Sequence, residues 1–304
     1  MNVVSPNAGT APDAAARVRG LALVAASAVI WSSGGLIVRS LETADSWTTI
    51  LWRSLAAAAF LLLFMLVRDG RSAPGLFLRM GWAGLFVGAC FACASISLVV
   101  SLSLTSVANV LVIMSAAPLL AAVLGRIFLG EAVRPRTWAA IAATIAGIAL
   151  MVSDSWARGA MAGDLLAMLI ALCTAAAIVV MRRHSEIRMT PAMCTATLIA
   201  ALAAAPFASP LAVGGDLPLL LLFGAGQLGL GLAIFASGAR LAPAAEVALL
   251  ATLEPILGPL WVWLALGEHP GTAALAGGAV VLAALFIHTA LDFRRRRPPA
   301  LPIA

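Results

Sequence analysis

Ten mostly apolar runs, at 20–38, 46–67, 80–102, 106–129, 135–153, 163–181, 190–208, 217–238, 243–266 and 271–291, leave this chain little choice of fold. A helix of about 20 such residues, rising about 1.5 Å per residue, crosses a hydrocarbon core of about 30 Å. From Leu217 to Ser237 there is no charged side chain at all. Links such as Ser103–Thr105 and Arg240–Ala242 are too short to hold a soluble domain. Composition agrees: 62% of the 304 residues are hydrophobic and 11% charged, with mean hydropathy +1.05. A soluble domain has about 45–50% and 25%. The sequence therefore predicts an all-α membrane protein of ten transmembrane helices. Its first run contains LALVAASA (Leu21–Ala28), which resembles a signal-peptide cleavage region, but with nine spans after it the run reads as the first span.

Arginine placement sets the expected orientation. Cytoplasmic flanks retain positive charge, and with both termini inside, every arginine except Arg39, Arg53 and Arg158 falls on that side. Arg39 and Arg158 lie outside and Arg53 within a span. The net charge of +6 is spread over span ends rather than gathered in a patch, so it does not point to nucleic acid. The expected location is a cell inner membrane, with a cytoplasmic tail at 1–19 and a basic tail at 292–304. Arg294–Arg297 in that tail suit anionic lipid.

Two motifs that suggest other chemistry fail on context. Gly224-Ala-Gly226-Gln-Leu-Gly229 matches the dinucleotide fingerprint, which needs a strand before it and an acidic residue about 20 positions on. Here it lies inside an apolar run, where small residues admit a neighbouring helix. Gly224, Gln227 and Gly231 share a face at α-helical spacing, and Ala225/Gly229 forms a small-xxx-small pair. Cys90-Phe-Ala-Cys93 has no polar flank and reads as small packing residues. His184, His269 and His288 lack metal-ligand spacing, and no motif implies a cofactor.

The chain also repeats. TSVANVLVIMSAAPLLAAVLGRIFLGE (105–131) aligns without a gap with APAAEVALLATLEPILGPLWVWLALGE (242–268), placing Pro118 on Pro255 and Gly130-Glu131 on Gly267-Glu268. Gly20 and Arg39 correspond likewise to Gly163 and Arg182. Each half, 20–153 and 163–291, holds five helices. Five is odd, so the second half enters the membrane from the opposite side, as in many secondary transporters built from inverted repeats.

These residues resemble the EamA branch of the drug/metabolite transporter superfamily. A proline-kinked helix ending in Gly-Glu occurs twice, Leu253-Glu254-Pro255 is similar to a step common in second repeats of that family, and IWSSGGLIVR (30–39) is similar to its first helix. Arg53 falls where its second helix usually has an arginine. The resemblance covers about 20–291 and implies a central cavity between two five-helix bundles with alternating access. Members move amino acids, other metabolites and drugs.

Five residues are candidates for contact with a solute. Glu254 lies midway along the ninth span, where a carboxylate costs several kcal/mol unless neutralised or paired. Pro255 and Pro259 lack N–H groups and free the carbonyls of Ala251 and Pro255 beside it, a notch suited to a cation or proton; the bland reading is a supported kink. Gln227 either faces the cavity or bonds a neighbouring helix. Arg53, about 9 Å inside its span, is placed to pair with Glu254 or a substrate carboxylate, or else to snorkel outward or meet Glu42 or Asp45. Trp31, mid-span, either walls the cavity or packs. Asn109 aligns with Glu246, and each is either a gate or a first-turn capping residue. Glu131 and Glu268 are expected to fix loops through nearby arginines.

The function expected from all this is secondary transport of a small polar metabolite, an amino acid or derivative, outward across the inner membrane. The partners implied are that small-molecule substrate, the lipid bilayer and, as a candidate coupling ion, protons. Nothing resembles an ATPase. The alternatives are a drug or metabolite facilitator without proton coupling, and an intramembrane lipid-modifying enzyme. The enzyme needs clustered His, Asp or Glu on neighbouring helices, and apart from Glu254 the spans offer almost none.

Overall fold

An apolar run in hydrocarbon has no water to satisfy its backbone, so it must close its own hydrogen bonds as a helix. The computed structural model describes residues 14–42, 45–157, 159–184 and 190–296, and among them all regular structure is helical. In chain order the helices are α1 Ala15–Arg39, α2 Ser46–Arg79, α3 Gly81–Leu104, α4 Val107–Leu129, α5 Pro135–Ala157, α6 Met161–Arg183, α7 Thr190–Ala204, α8 Gly214–Gly238, α9 Glu246–Leu266 and α10 Thr272–Leu291. Arg158, Arg188 and Arg297 lie outside the described residues, as do most of the expected N-terminal tail and the end of the basic one.

Two elements differ from the expected spans. α7 was expected to reach residue 208 but stops at Ala204, leaving 15 residues, about 22 Å. Pro206 has no N–H to continue the ladder, and the N–H groups of Phe207 and Ala208 both turn back to the Ala204 carbonyl at 3.0 Å. α2 runs beyond residue 67: it ends its straight part at Asp69, turns at Gly70 (φ 57°) and resumes as Ala73–Arg79. Its start is set by Asp45, whose carboxylate accepts from the N–H groups of Trp47 (2.7 Å) and Thr48 (2.9 Å) and from the Thr48 hydroxyl (2.8 Å). Burial alone would raise the Asp45 pKa, but these donors hold it below the usual carboxylate value.

The helices pack as two related sets. α3 lies on α6 as α1 lies on α8; α7 on α3 as α2 on α8; α4 on α6 as α9 on α1. α5 meets α10, α2 meets α7 and α4 meets α9, each helix with its own counterpart. Exchanging α1–α5 with α6–α10 thus reproduces the main packing, which is the inverted two-fold relation the repeat predicts. Small residues allow the closest approaches. At the α5–α10 crossing, a Cβ at Gly147 would stand 2.7 Å from the Gly277 carbonyl oxygen.

Besides α2, three helices are broken. α1 breaks at Ser33, α4 at Ser115–Ala116 and α9 at Thr252–Leu253. In α4 and α9 a proline takes an early position in the second segment, where its missing N–H does no harm. At each break a hydroxyl donates back three residues: Ser115 to the Val112 carbonyl and Thr252 to that of Leu249, both at 2.6 Å. Both helices end on a left-handed glycine with φ 69°, Gly130 and Gly267. Beyond these, Glu131 pairs with Arg182 at 3.2 Å and Glu268 with Arg39 at 2.9 Å. Each glutamate, in the loop just past its glycine, thus fixes that loop through an arginine as expected, and the arginine is the equivalent one of the opposite repeat.

At the end of the bundle away from the chain termini, the second segments of α1 and α9 and the first segment of α4 close on one another. Leu36, Val38, Val107, Val110, Leu111 and Val262 belong to one apolar cluster there. Arg39 adds a hydrogen bond to the Thr105 carbonyl at 2.9 Å. At the terminal end, no comparable packing joins Ala117–Leu129 of α4 to Ala244–Ala251 of α9 among the described residues.

Candidate functional site

The stretch GAGQLGLG lies in a π-helical segment, Leu222–Leu230 of α8. Hydrogen bonds there reach one residue further than in an α-helix, so residues five apart share a face. Gly224 and Gly229 are five apart and both meet α2. A Cβ at Gly224 would overlap the Arg53 carbonyl, and one at Gly229 would stand 2.8 Å from the Phe60 ring. The close-packing role expected of the glycines holds, but the pair facing the neighbour is Gly224/Gly229 rather than Ala225/Gly229. Gly231, just past the π segment, meets the Trp31 indole on α1.

Wedged between α2, α3 and α8 is Arg53, only 2% exposed. Its Nη1 donates to the Ser95 hydroxyl at 2.6 Å, and its guanidinium lies over the Phe223 ring, 4.4 Å from the centroid. Its Nε has no partner, and among the described residues no carboxylate is within ion-pair distance. The arginine neither snorkels nor pairs with Glu42, Asp45 or Glu254. Asp45 caps α2 instead, and the Glu42 N–H meets the Asp216 carboxylate at 3.1 Å. A desolvated cation–π contact contributes up to about 2 kcal/mol. Burying a charge costs several, so the ring offsets only part of it.

Next along α8, Gln227 is buried and its amide donates to the Trp31 carbonyl at 2.9 Å. That carbonyl sits where the α1 break frees it, and Gly34 leaves the room the amide occupies. Gln227 therefore does bond a neighbouring helix, while its Oε1 and the Trp31 Nε1 stay buried without partners. Trp31 packs on Phe235 with centroids 5.1 Å apart. On the other flank of the break, the Trp261 indole donates to the Ser32 hydroxyl at 2.9 Å.

Glu254 is in the first turn of the second segment of α9, at the positive end of that half-helix, which favours a carboxylate. It shares a stripe with buried Gly258 and Val262, opposite exposed Ile256 and Trp263, so it faces the bundle interior. It is half-buried and makes no hydrogen bond or ion pair among the described residues. Arg53, Gln227 and Trp31 thus form a polar seam through α2, α8 and α1, and Glu254 faces the interior from α9.

Asn109 lies apart from that seam. Ser106 takes the capping position, accepting from the Asn109 N–H at 3.2 Å. The Asn109 amide donates to Ser155 (2.7 Å) and to both carboxylate oxygens of Asp164 (3.1 and 3.2 Å), all three residues 0% exposed. Thr105 donates to the same carboxylate at 2.8 Å. Glu246, its repeat counterpart, pairs with Arg17 at the start of α1. Both residues tie the start of a broken helix to the first turns of α6 or α1.

The profile of the EamA-like transporter family matches residues 18–153 and 161–290. The chain belongs to that family. It is a multi-pass membrane protein and a transporter of the drug/metabolite superfamily. A solved crystal structure matches 93% of this chain and 100% of its own, with TM-score 0.64 and 21% identity, a likeness of fold alone. A comparison with curated proteins gives no match.

Within this EamA fold, sequence reasoning missed Ser95, Phe223, Asp164 and Trp261. Asp164 was findable: it is a charged residue in the first turn of a span, one position after the Gly163 that matches Gly20. Ser95 and Phe223 carried no signal, since a serine or phenylalanine in an apolar run is ordinary. Among the described residues no group of three His, Cys, Asp or Glu is arranged to hold a metal.

Proposed function

We propose that this transporter exports a small polar metabolite, an amino acid or derivative, across the cell inner membrane by alternating access, with both termini cytoplasmic. One observation carries the reading: two charged side chains of opposite sign, Arg53 and Glu254, turn into the bundle and neither has a charged partner among the described residues. Ionisable residues inside a membrane bundle mark substrate or ion paths. Glu254 is the proton-exchanging group and Arg53, Gln227 and Trp31 line the solute path; Asn109 holds the start of α4 in place. The apolar packing at the end away from the termini supports reading this conformation as the one closed to the outside.

The experiment is a comparison of secreted metabolites between an overexpressing strain and its empty-vector control, followed by uptake of the enriched compound into inside-out vesicles with and without an imposed pH gradient. Enrichment with gradient-dependent uptake supports the reading. Uptake indifferent to the gradient favours a facilitator. A C-terminal reporter active only inside, and one at position 158 active only outside, check the orientation.

A further inference from the structure

The unspent hydrogen-bonding capacity of Arg53 says what kind of solute the path is built for. A guanidinium has five N–H donors arranged in forks. Ser95 takes one, on Nη1, and Phe223 lies against the face. These two contacts fix the rotation and the plane of the group. The edge formed by Nε and Nη2 makes no hydrogen bond to the protein among the described residues, and Nε is buried. That edge is the one that grips a planar oxyanion by two parallel hydrogen bonds. Elsewhere along the seam, Gln227 Oε1 and Trp31 Nε1 are also buried and unpartnered, the indole nitrogen turned toward Gly231. A guanidinium held this firmly, with one edge making no hydrogen bond and no carboxylate paired with it among the described residues, has the form of a site for an anion.

We propose that Arg53 binds the carboxylate of the transported solute through its Nε and Nη2 edge, with Ser95 and Phe223 as the residues that position the fork. The ligand class is a small organic carboxylate. A single cation with no second basic group beside it suits a monoanion with two coplanar oxygens better than a phosphate dianion. The proposal rests on the transporter reading for the word solute but not for the site itself.

The test uses purified full-length protein in detergent, its thermal stability titrated with acetate, benzoate and glycine, each against its amide, and with inorganic phosphate. At least one carboxylate should stabilise the protein saturably while its amide does not. Arg53→Gln should weaken that carboxylate by about tenfold to a hundredfold. Arg53→Lys keeps the charge but loses the fork, and Ser95→Ala frees the fork to rotate; both should weaken it by a smaller factor. Amides as effective as carboxylates, phosphate alone giving the shift, or Arg53→Gln binding as wild type does would each overturn the site. Should Arg53→Gln fail to fold, unchanged carboxylate affinity in both Arg53→Lys and Ser95→Ala overturns it instead. Vesicle flux separates the two ideas. Carboxylate binding without flux removes the transporter reading and leaves the site, whereas flux of a solute lacking any carboxylate removes the site and leaves the transporter.

Discussion

The fourth and ninth helices are the same device built twice, and they differ at a charged position. Both break three residues before a proline, close the break with a hydroxyl, end on a left-handed glycine and send a glutamate to an arginine of the other repeat. Yet the position of Glu254 is Ala117 in α4, and Pro259 has Ala122 as its counterpart. The lashings at their starts differ as well. α4 is held by a fully buried amide–carboxylate network, α9 by an ion pair whose arginine side chain is 46% exposed. What the repeats share is scaffold. What only one has is the lone carboxylate facing the interior.

The largest expected effect tests that asymmetry. Glu254→Gln keeps shape and removes charge and titration, so gradient-driven flux should fall by at least about tenfold with folded yield unchanged. Glu254→Asp should retain partial activity. Moving the carboxylate, with Ala117→Glu on an E254A background, should not restore flux. Wild-type flux in the glutamine variant would reduce Glu254 to a prop for the kink, and the two helices would then be equivalent.

Smaller effects sort the two lashings. Asn109→Ala leaves the Asp164 carboxylate and the Ser155 hydroxyl short of a buried donor, a loss of about 1–3 kcal/mol. Glu246→Gln removes a pair whose arginine is exposed to solvent and screened, so its loss should be the smaller one. Thermal melts of the two variants side by side should show the α4 lashing as the costlier one; equal shifts would erase that part of the contrast. Gly229→Leu, which pushes a side chain into Phe60, should destabilise by about 1–3 kcal/mol and lower folded yield. Saturable NAD or ATP binding lost in that variant would revive the rejected fingerprint.

The smallest effect is at the start of α2. Asp45→Ala should lose about 1 kcal/mol with the cap. Because the carboxyl is held below its unfolded pKa, that stability is present above the unfolded value and disappears as pH falls through the folded one. Wild type and variant should therefore converge in strong acid and differ at neutral pH; a constant gap down to strong acid would mean the capping charge contributes nothing.

Much of the fold was legible because the membrane makes hydropathy and helix length speak almost alone. The kinks of α4 and α9 were legible too, since proline acts on its own chain. What stayed hidden depends on pairs far apart in sequence. Arg53 meets Ser95 and Phe223, and Gln227 meets Trp31, only once α2, α3, α8 and α1 are packed. The expected facing of the glycines erred for a local reason: an α-helical period was applied to a π-helical segment, and one residue more per bond moves the face. Asn109 was read from its place near a helix start, but Ser106, three residues earlier, had the better geometry for the cap.

An arginine inside a bilayer with no charged partner among the described residues is also an electrical element. Arg53 lies about 10 Å from the start of α2 at Ser46, about a third of the hydrocarbon thickness. One charge crossing the full membrane field exchanges about 2.3 kcal/mol per 100 mV. If alternating access switches which side's water reaches Arg53, the empty site would couple to voltage by up to about that full 2.3 kcal/mol per 100 mV, because the potential drop moves from one side of the charge to the other. An anion bound there, as proposed, would cancel most of that. Empty and loaded carriers would then feel the membrane potential unequally, and the return of the empty carrier becomes the step that voltage sets.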